Sequence, residues 1–199
     1  MNGSRSTMKP IILRVAHAVP TPWKNGGGTT RELLAWPAAA DWIVRVSVAD
    51  INTSGPFSVY AGVDRWFAVL SGGDVSLATA GTPPQRLGAS QAELHGFAGD
   101  APTDCTALGA GTRDFNVMLR RARGRLNQYS LRQRVSLETT CEFAALFSVE
   151  PVAVKAGGDS GCALPGMALA WWHNPRREAL ALHAQAAARG WWLEANVGA

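Results

Sequence analysis

Apolar and polar residues alternate with a period of two over several short stretches, the pattern of strands with two distinct faces. Over Asp41–Ala49, Trp42, Val44, Val46 and Val48 fall on one face and Ile43, Arg45, Ser47 and Ala49 on the other. Asp114–Arg120 repeats the pattern, with Asp114, Asn116 and Met118 opposite Phe115, Val117 and Leu119. Arg65–Leu70 and Val75–Thr79 flank Ser71-Gly72-Gly73-Asp74, which reads as a glycine-rich hairpin. Glu142–Val149, Val152–Ala156 and Met167–Trp172 are apolar runs of strand length, with Gly and Pro between them. Such spacing predicts an all-β barrel or sandwich. Two stretches resist it. Thr29–Trp36 has helical propensity but is too short for a stable isolated helix. Arg176–Arg189 is rich in Ala and Leu, which favours a helix by propensity. Its neighbours favour a hairpin instead: a strand at Ala179–His183, a turn near Gly190 and a last strand at Trp191–Val197.

The chain of 199 residues can bury a full core, and 47% hydrophobic against 17% charged residues excludes a disordered protein. No apolar run approaches the roughly 20 residues of a membrane-spanning helix, and no secretory h-region precedes Lys9. Residues 1–8 read as a flexible tail before one domain over 9–199. Cys105, Cys141 and Cys162 are odd in number and widely spaced, which predicts a reducing compartment, the cytoplasm.

The net charge of +4 comes from one segment: residues 113–134 hold seven arginines against Asp114 alone. Only Phe115 and Tyr129 accompany them as aromatics, and no helix-turn-helix or zinc motif is present, which argues against nucleic acid as a partner. A solvated face or an interface explains the cluster better. The Trp-rich second half is compatible with a homodimer. Trp171-Trp172 and Trp191-Trp192 are each expected to split across the two faces of a strand.

The histidines are His17, His95, His173 and His183, and no two are one residue apart. A transition-metal site usually needs three or more N/O ligands, so no metal is expected. Asn25-Gly26-Gly27-Gly28-Thr29-Thr30 could present backbone N–H groups to an anion, although it lacks the context of a phosphate loop. A tight turn is the plainer reading. Arg45 and Ser47, like Asp114 and Asn116, face either a lumen or solvent. If the lumen, Asp114 is a structural partner for a buried arginine, and an arginine left unpaired could hold a ligand carboxylate. Arg65 is a second candidate for that role.

From Pro22 to Glu32 (PWKNGGGTTRE) the sequence resembles the HutD/Ves family. The resemblance continues through Arg45–Ala49, Gly55–Ser58, Gly62–Arg65, Phe97–Asp100 and Arg113–Met118, followed by Arg120-Arg121. It covers about the first 125 residues; the remainder agrees mainly in length and strand pattern. The resemblance implies an all-β bicupin, two cupin-like β-barrels in one chain with few short helices, lacking the usual cupin metal site and needing no cofactor. It also implies that Lys24, Asn25, Arg45, Ser47, Arg65, Asp114 and Asn116 line a pocket, with Glu32 and His95 as further candidates. The family is associated with histidine utilisation or stress responses and carries no firmly attached enzymatic activity. The expected function is therefore binding of a small acidic metabolite such as urocanate or formylglutamate. A metal-independent isomerase or hydrolase, using Lys24, Glu32, Asp114 or His95 for acid–base chemistry, is the alternative.

Overall fold

The computed structural model describes residues 9–157 and 161–197; the expected tail over residues 1–8 lies outside them. Among the described residues the chain forms nineteen strands and two short 3₁₀ turns, Val15–His17 and Arg121–Arg123. In order, the first eleven strands are β1 (Ile11–Arg14), β2 (Pro20–Pro22), β3 (Gly28–Trp36), β4 (Val44–Ile51), β5 (Gly55–Pro56), β6 (Val63–Ser71), β7 (Val75–Thr79), β8 (Gln85–Leu87), β9 (His95–Ala98), β10 (Thr103–Ala107) and β11 (Thr112–Arg120). The rest are β12 (Gly124–Ser130), β13 (Ser136–Thr139), β14 (Phe143–Ser148), β15 (Val152–Ala156), β16 (Cys162–Leu164), β17 (Ala168–His173), β18 (Leu180–Ala184) and β19 (Gly190–Val197). No helix of the described residues is long and apolar enough to cross a membrane.

The strands fall into two compact units, one over His17–Gly124 and the other over the described residues of 9–16 and 125–197. In the 17–124 unit a six-stranded sheet, β2-β3-β4-β11-β6-β9, faces a four-stranded sheet, β5-β10-β7-β8. Ile51, Phe67 and Val69 from the first sheet meet Val75, Leu77, Leu87 and Cys105 from the second to form the core between them. In the other unit the sheets are β1-β17-β14-β19-β12 and β13-β18-β15-β16. Its hydrophobic core is built around Trp172 and Trp192, whose rings lie 6.4 Å apart. The two tryptophan pairs split across faces as expected: Trp171 stacks on Phe143 and Trp191 on Phe147.

One stretch left open is assigned, and two local expectations are corrected. Thr29–Trp36 belongs to strand β3, because pairing with β2 on one side and β4 on the other outweighs its helical propensity. The segments around Ser71–Asp74 do not form a hairpin. β6 stays in the six-stranded sheet, while β7 pairs with β8 and β10 in the facing one. The glycines serve this crossing. Gly72 has φ of +82°, and a Cβ there would lie 2.0 Å from the Gly111 carbonyl oxygen, while Gly73 packs on the Gly109 backbone. Gly72→Ala is expected to lower stability by at least about 2 kcal/mol, read from the urea midpoint, since both backbone conformation and space forbid a side chain. Finally, the last two strands exist near the expected positions but are not a hairpin: β18 pairs with β13 and β15, and β19 with β14.

Strand β4 resolves the choice left open for Arg45. Val44, Val46 and Val48 are fully buried, and Ser47 and Ala49 on the opposite face are buried too. The strand therefore has no solvent face along this stretch. One side packs apolar residues, and the other lines the interior of the 17–124 unit.

Candidate functional site

Register places the polar interior residues. Antiparallel neighbours share a face, so Arg45 of β4, Met118 of β11 and Arg65 of β6 form one row across the sheet. Glu32 of β3, Ser47 and Asn116 form the next, and Thr30, Ala49 and Asp114 the third. A bulge between Glu32 and Leu34 shifts the β3 register there. Arg45 Nε donates to Glu32 Oε2 at 2.6 Å, an ion pair at the more exposed end.

These rows form one wall of a cavity of about 610 Å³ within the 17–124 unit. Lys24, Asn25, Arg45, Ser47, Arg65, Asp114 and Asn116 all line it, as does Glu32. His95 does not. It pairs with Phe67 across β6 and β9, its ring stacks on Phe97 at 6.0 Å, and burial holds its pKa below the ordinary value.

The segment Trp23–Gly28 closes one side. Asn25 Oδ1 accepts from the Gly27 N–H at 3.0 Å, and the Gly26 N–H donates to the Trp23 carbonyl, so the loop is held by its own turns. Gly28 cannot be replaced without moving backbone, because a Cβ there would lie 2.3 Å from the Asp50 carbonyl oxygen. That close approach seats the Trp23 ring beside β3, where its Nε1–H donates to Thr30 Oγ1 at 2.7 Å. Asparagine and glycines here shape the loop. The plainer reading of this segment, a tight turn, describes it well.

Arg65 lies deepest among the cations, only 5% exposed. Its guanidinium sits 5.0 Å from the Phe57 ring, 5.0 Å from Phe97 and 5.7 Å from Tyr60. Nη2 donates to Asn116 Oδ1 at 3.1 Å and Nη1 to the Ser58 carbonyl at 3.3 Å, while Nε is buried with no hydrogen-bond partner. Asn116 Nδ2 in turn donates to Asp114 Oδ1 at 2.7 Å. Burial pushes the Asp114 carboxyl up to about 7, against the lowering effects of the Asn116 hydrogen bond and the Arg65 charge. Burial also holds Arg65 below its ordinary value.

The expected pairing of a lumen arginine with Asp114 is thus indirect and involves Arg65: Asn116 stands between them, and Arg45 pairs with Glu32 instead. Among the described residues no carboxylate comes within ion-pair distance of Arg65 or Lys24. The cavity therefore carries an excess of positive charge. An anion fits that surplus.

Phe57, Ser58 and Tyr60 were not nominated from sequence, although Gly55–Ser58 stood among the matching family blocks. Their signal was the Gly55-Pro56 step just before Phe57, which fixes no side-chain direction. The arginine-rich stretch serves other ends. Arg113 pairs with Asp50, Arg121 with Asp64 and Asp100, Arg120 lies over Trp42, and Arg134 over Tyr129. Among the described residues no group of three or more His, Cys, Asp or Glu side chains is placed to hold a metal ion.

Comparison with known proteins agrees with this architecture. An uncharacterised 21.2 kDa protein from the hutC 3′ region of Pseudomonas putida is 36% identical over 147 residues, 70% of this chain and 75% of that protein. Protein Ves of Cronobacter sakazakii is 38% identical over 104 residues, 52% of this chain and 56% of its own length. Among solved structures, a conserved protein of unknown function from Pseudomonas aeruginosa PAO1 superposes with a TM-score of 0.81 at 27% identity, covering 96% of this chain and all of that one. HutD from Pseudomonas fluorescens SBW25 gives 0.77 at 25% identity, again over 96% of this chain and all of the other. Protein Ylba from Escherichia coli shares the fold at 8% identity, with a TM-score of 0.68 over 96% of this chain and 94% of its own. The HutD family model matches residues 16–191, from the turn before β2 into the last strand, and the chain belongs to that family.

Proposed function

We propose that the chain binds an acidic intermediate of histidine breakdown, urocanate or formylglutamate, in the cavity of the 17–124 unit and modulates histidine utilisation by binding it without turnover. On this reading each unit is one barrel of a cytoplasmic bicupin, and the binding barrel works without metal or cofactor. The observation that carries the proposal is the buried, aromatic-walled Arg65, which lines the cavity and among the described residues has no carboxylate within ion-pair distance. Burying a guanidinium without a counter-ion is unfavourable, and a ligand carboxylate removes that penalty by supplying both charge and acceptors. Lys24 adds a second cation for a dianionic ligand, and Asn25, Ser47 and Asn116 supply polar contacts for orientation. The family's link to histidine utilisation narrows the acids to that pathway.

A thermal-shift screen against urocanate, formylglutamate, imidazolone propionate and glutamate tests it. A ligand at one hundred times its Kd stabilises the native state by about 2.7 kcal/mol, so a clear rise in melting temperature is expected with one acid. The rise should vanish in Arg65→Ala. No rise with any of the four removes the pathway assignment.

One observation favours a second reading, a metal-independent isomerase or hydrolase. Asp114 lines the cavity with its carboxyl pushed up to about 7, suited to general acid–base work. Product formation from a bound acid, lost in Asp114→Asn while binding persists, would establish turnover and displace the binding-only proposal.

A further inference from the structure

The chain Arg65–Asn116–Asp114 joins a cation facing the cavity to a carboxyl that is 1% exposed. The Asn116 amide is committed at both ends. Its oxygen accepts from Arg65 and its nitrogen donates to Asp114, so the two ionisable groups are coupled through one rigid side chain on a central strand. We propose that anion binding at Arg65 is coupled through this chain to uptake of one proton from solvent by Asp114, so that the cavity holds a carboxylate more tightly in acid than in alkali. This inference rests on the reading of the cavity as a carboxylate site.

The sign follows from the charges around Asp114. On its own strand Asn116 donates to it. From β6 the Arg65 cation favours its ionised form, and from β4 the Asp50 carboxylate opposes that form. From β10 in the facing sheet comes the Cys105 thiol, which burial pushes up to about 12 and which stays neutral here. The remaining charged cavity groups are the Arg45–Glu32 pair and Lys24, and the Tyr60 phenol stands beside Arg65. Arg65 is thus the principal charge holding Asp114 ionised. An anion seated on Arg65 offsets that charge and adds its own repulsion, so the bound state favours the neutral carboxyl. Binding then draws in a proton: ligand anion, proton and Asp114 carboxylate combine to a complex with a neutral Asp114. Asn116 need not move for this, because the neutral carboxyl still offers an oxygen to its N–H.

N-formylglutamate is a suitable probe, because both its carboxylates are ionised throughout the range of interest. Titration calorimetry on the full chain between pH 6 and 9 is expected to show affinity falling by about tenfold as pH rises, the factor that one unit of coupled shift produces. The measured heat should vary with the ionisation enthalpy of the buffer, showing about half a proton taken up near pH 7.5. In Asp114→Asn the pH profile should be flat and the buffer dependence absent. A flat profile in the parent chain overturns the proposal but leaves the ligand reading standing. So does a pH dependence that survives in Asp114→Asn, since another group would then carry it. No binding at any pH overturns both. Carbon-13 NMR of the aspartate carboxyls in the parent chain gives a test that requires no variant. One carboxyl should titrate near neutrality and move upward when the probe is added. If every aspartate titrates below about pH 5, the proposal fails.

Discussion

An Arg65→Met variant is expected to unfold no more easily than the parent chain without ligand, while losing about a hundredfold in affinity for a carboxylate. The two effects share one cause. In the parent, Arg65 is nearly solvent-free and burial disfavours its charged form; among the described residues Nε has no partner and no carboxylate stands within ion-pair distance. Replacing a poorly compensated buried charge with an apolar side chain of similar length is often neutral or stabilising. Methionine suits the place, since its thioether can occupy the space between the Phe57, Tyr60 and Phe97 rings. Against this stands the loss of two hydrogen bonds, to Asn116 Oδ1 and the Ser58 carbonyl, each worth about 1 kcal/mol net. The affinity loss follows from removing a charge-assisted contact to the ligand worth about 3 kcal/mol. Urea denaturation and calorimetry on the same samples check both halves. A variant that unfolds markedly more easily yet binds as before would show Arg65 to be scaffold.

Trp192→Ala is expected to destabilise the Trp-rich unit by about 3–5 kcal/mol, among the largest effects available to one substitution. Trp192 is fully buried on β19, packs on Trp172, and donates its Nε1–H to the Arg134 carbonyl at 3.0 Å. Truncation opens a cavity in an apolar core and orphans that carbonyl. Trp171→Ala provides the comparison. Trp171 is only half-buried and stacks on Phe143 and His173, so less than half the effect is expected. Equal losses in urea midpoint for the two would mean that the Trp172–Trp192 core does not dominate the stability of this unit.

Why some features were legible in the sequence and others were not follows from the range of each signal. Alternation over Asp41–Ala49 and Asp114–Arg120 is local, and it placed the faces of β4 and β11 correctly. It could not say which face was inside, because both are: an interior cavity on one side and buried valines on the other produce the same polar–apolar alternation as a surface strand. Pairing partners are not local. Gly72-Gly73 has the composition of a hairpin turn, yet its task is to let two backbone turns lie against each other where the chain changes sheets. The same limit misjudged β18 and β19, adjacent in sequence but separated between sheets. At the cavity, residue types pointed to anion chemistry, and the family resemblance supplied the inward direction. What neither supplied was the order of the charges. That Arg45 is paired and Arg65 is not depends on the register that sets Glu32 opposite Ser47.

The two-sided burial of β4 also decides where this cavity can be redesigned. Sliding that strand by one residue would drive valines into the cavity and Arg45 and Ser47 among the apolar residues, so its register is pinned from both sides. Specificity changes are accordingly easier to engineer in the two loops that carry Lys24 and Ser58, whose side chains reach the cavity without belonging to a sheet. A library confined to residues 23–25 and 57–60 would vary the rim and the aromatic walls while leaving the Arg65–Asn116–Asp114 floor intact, one rigid chassis accepting many mouths.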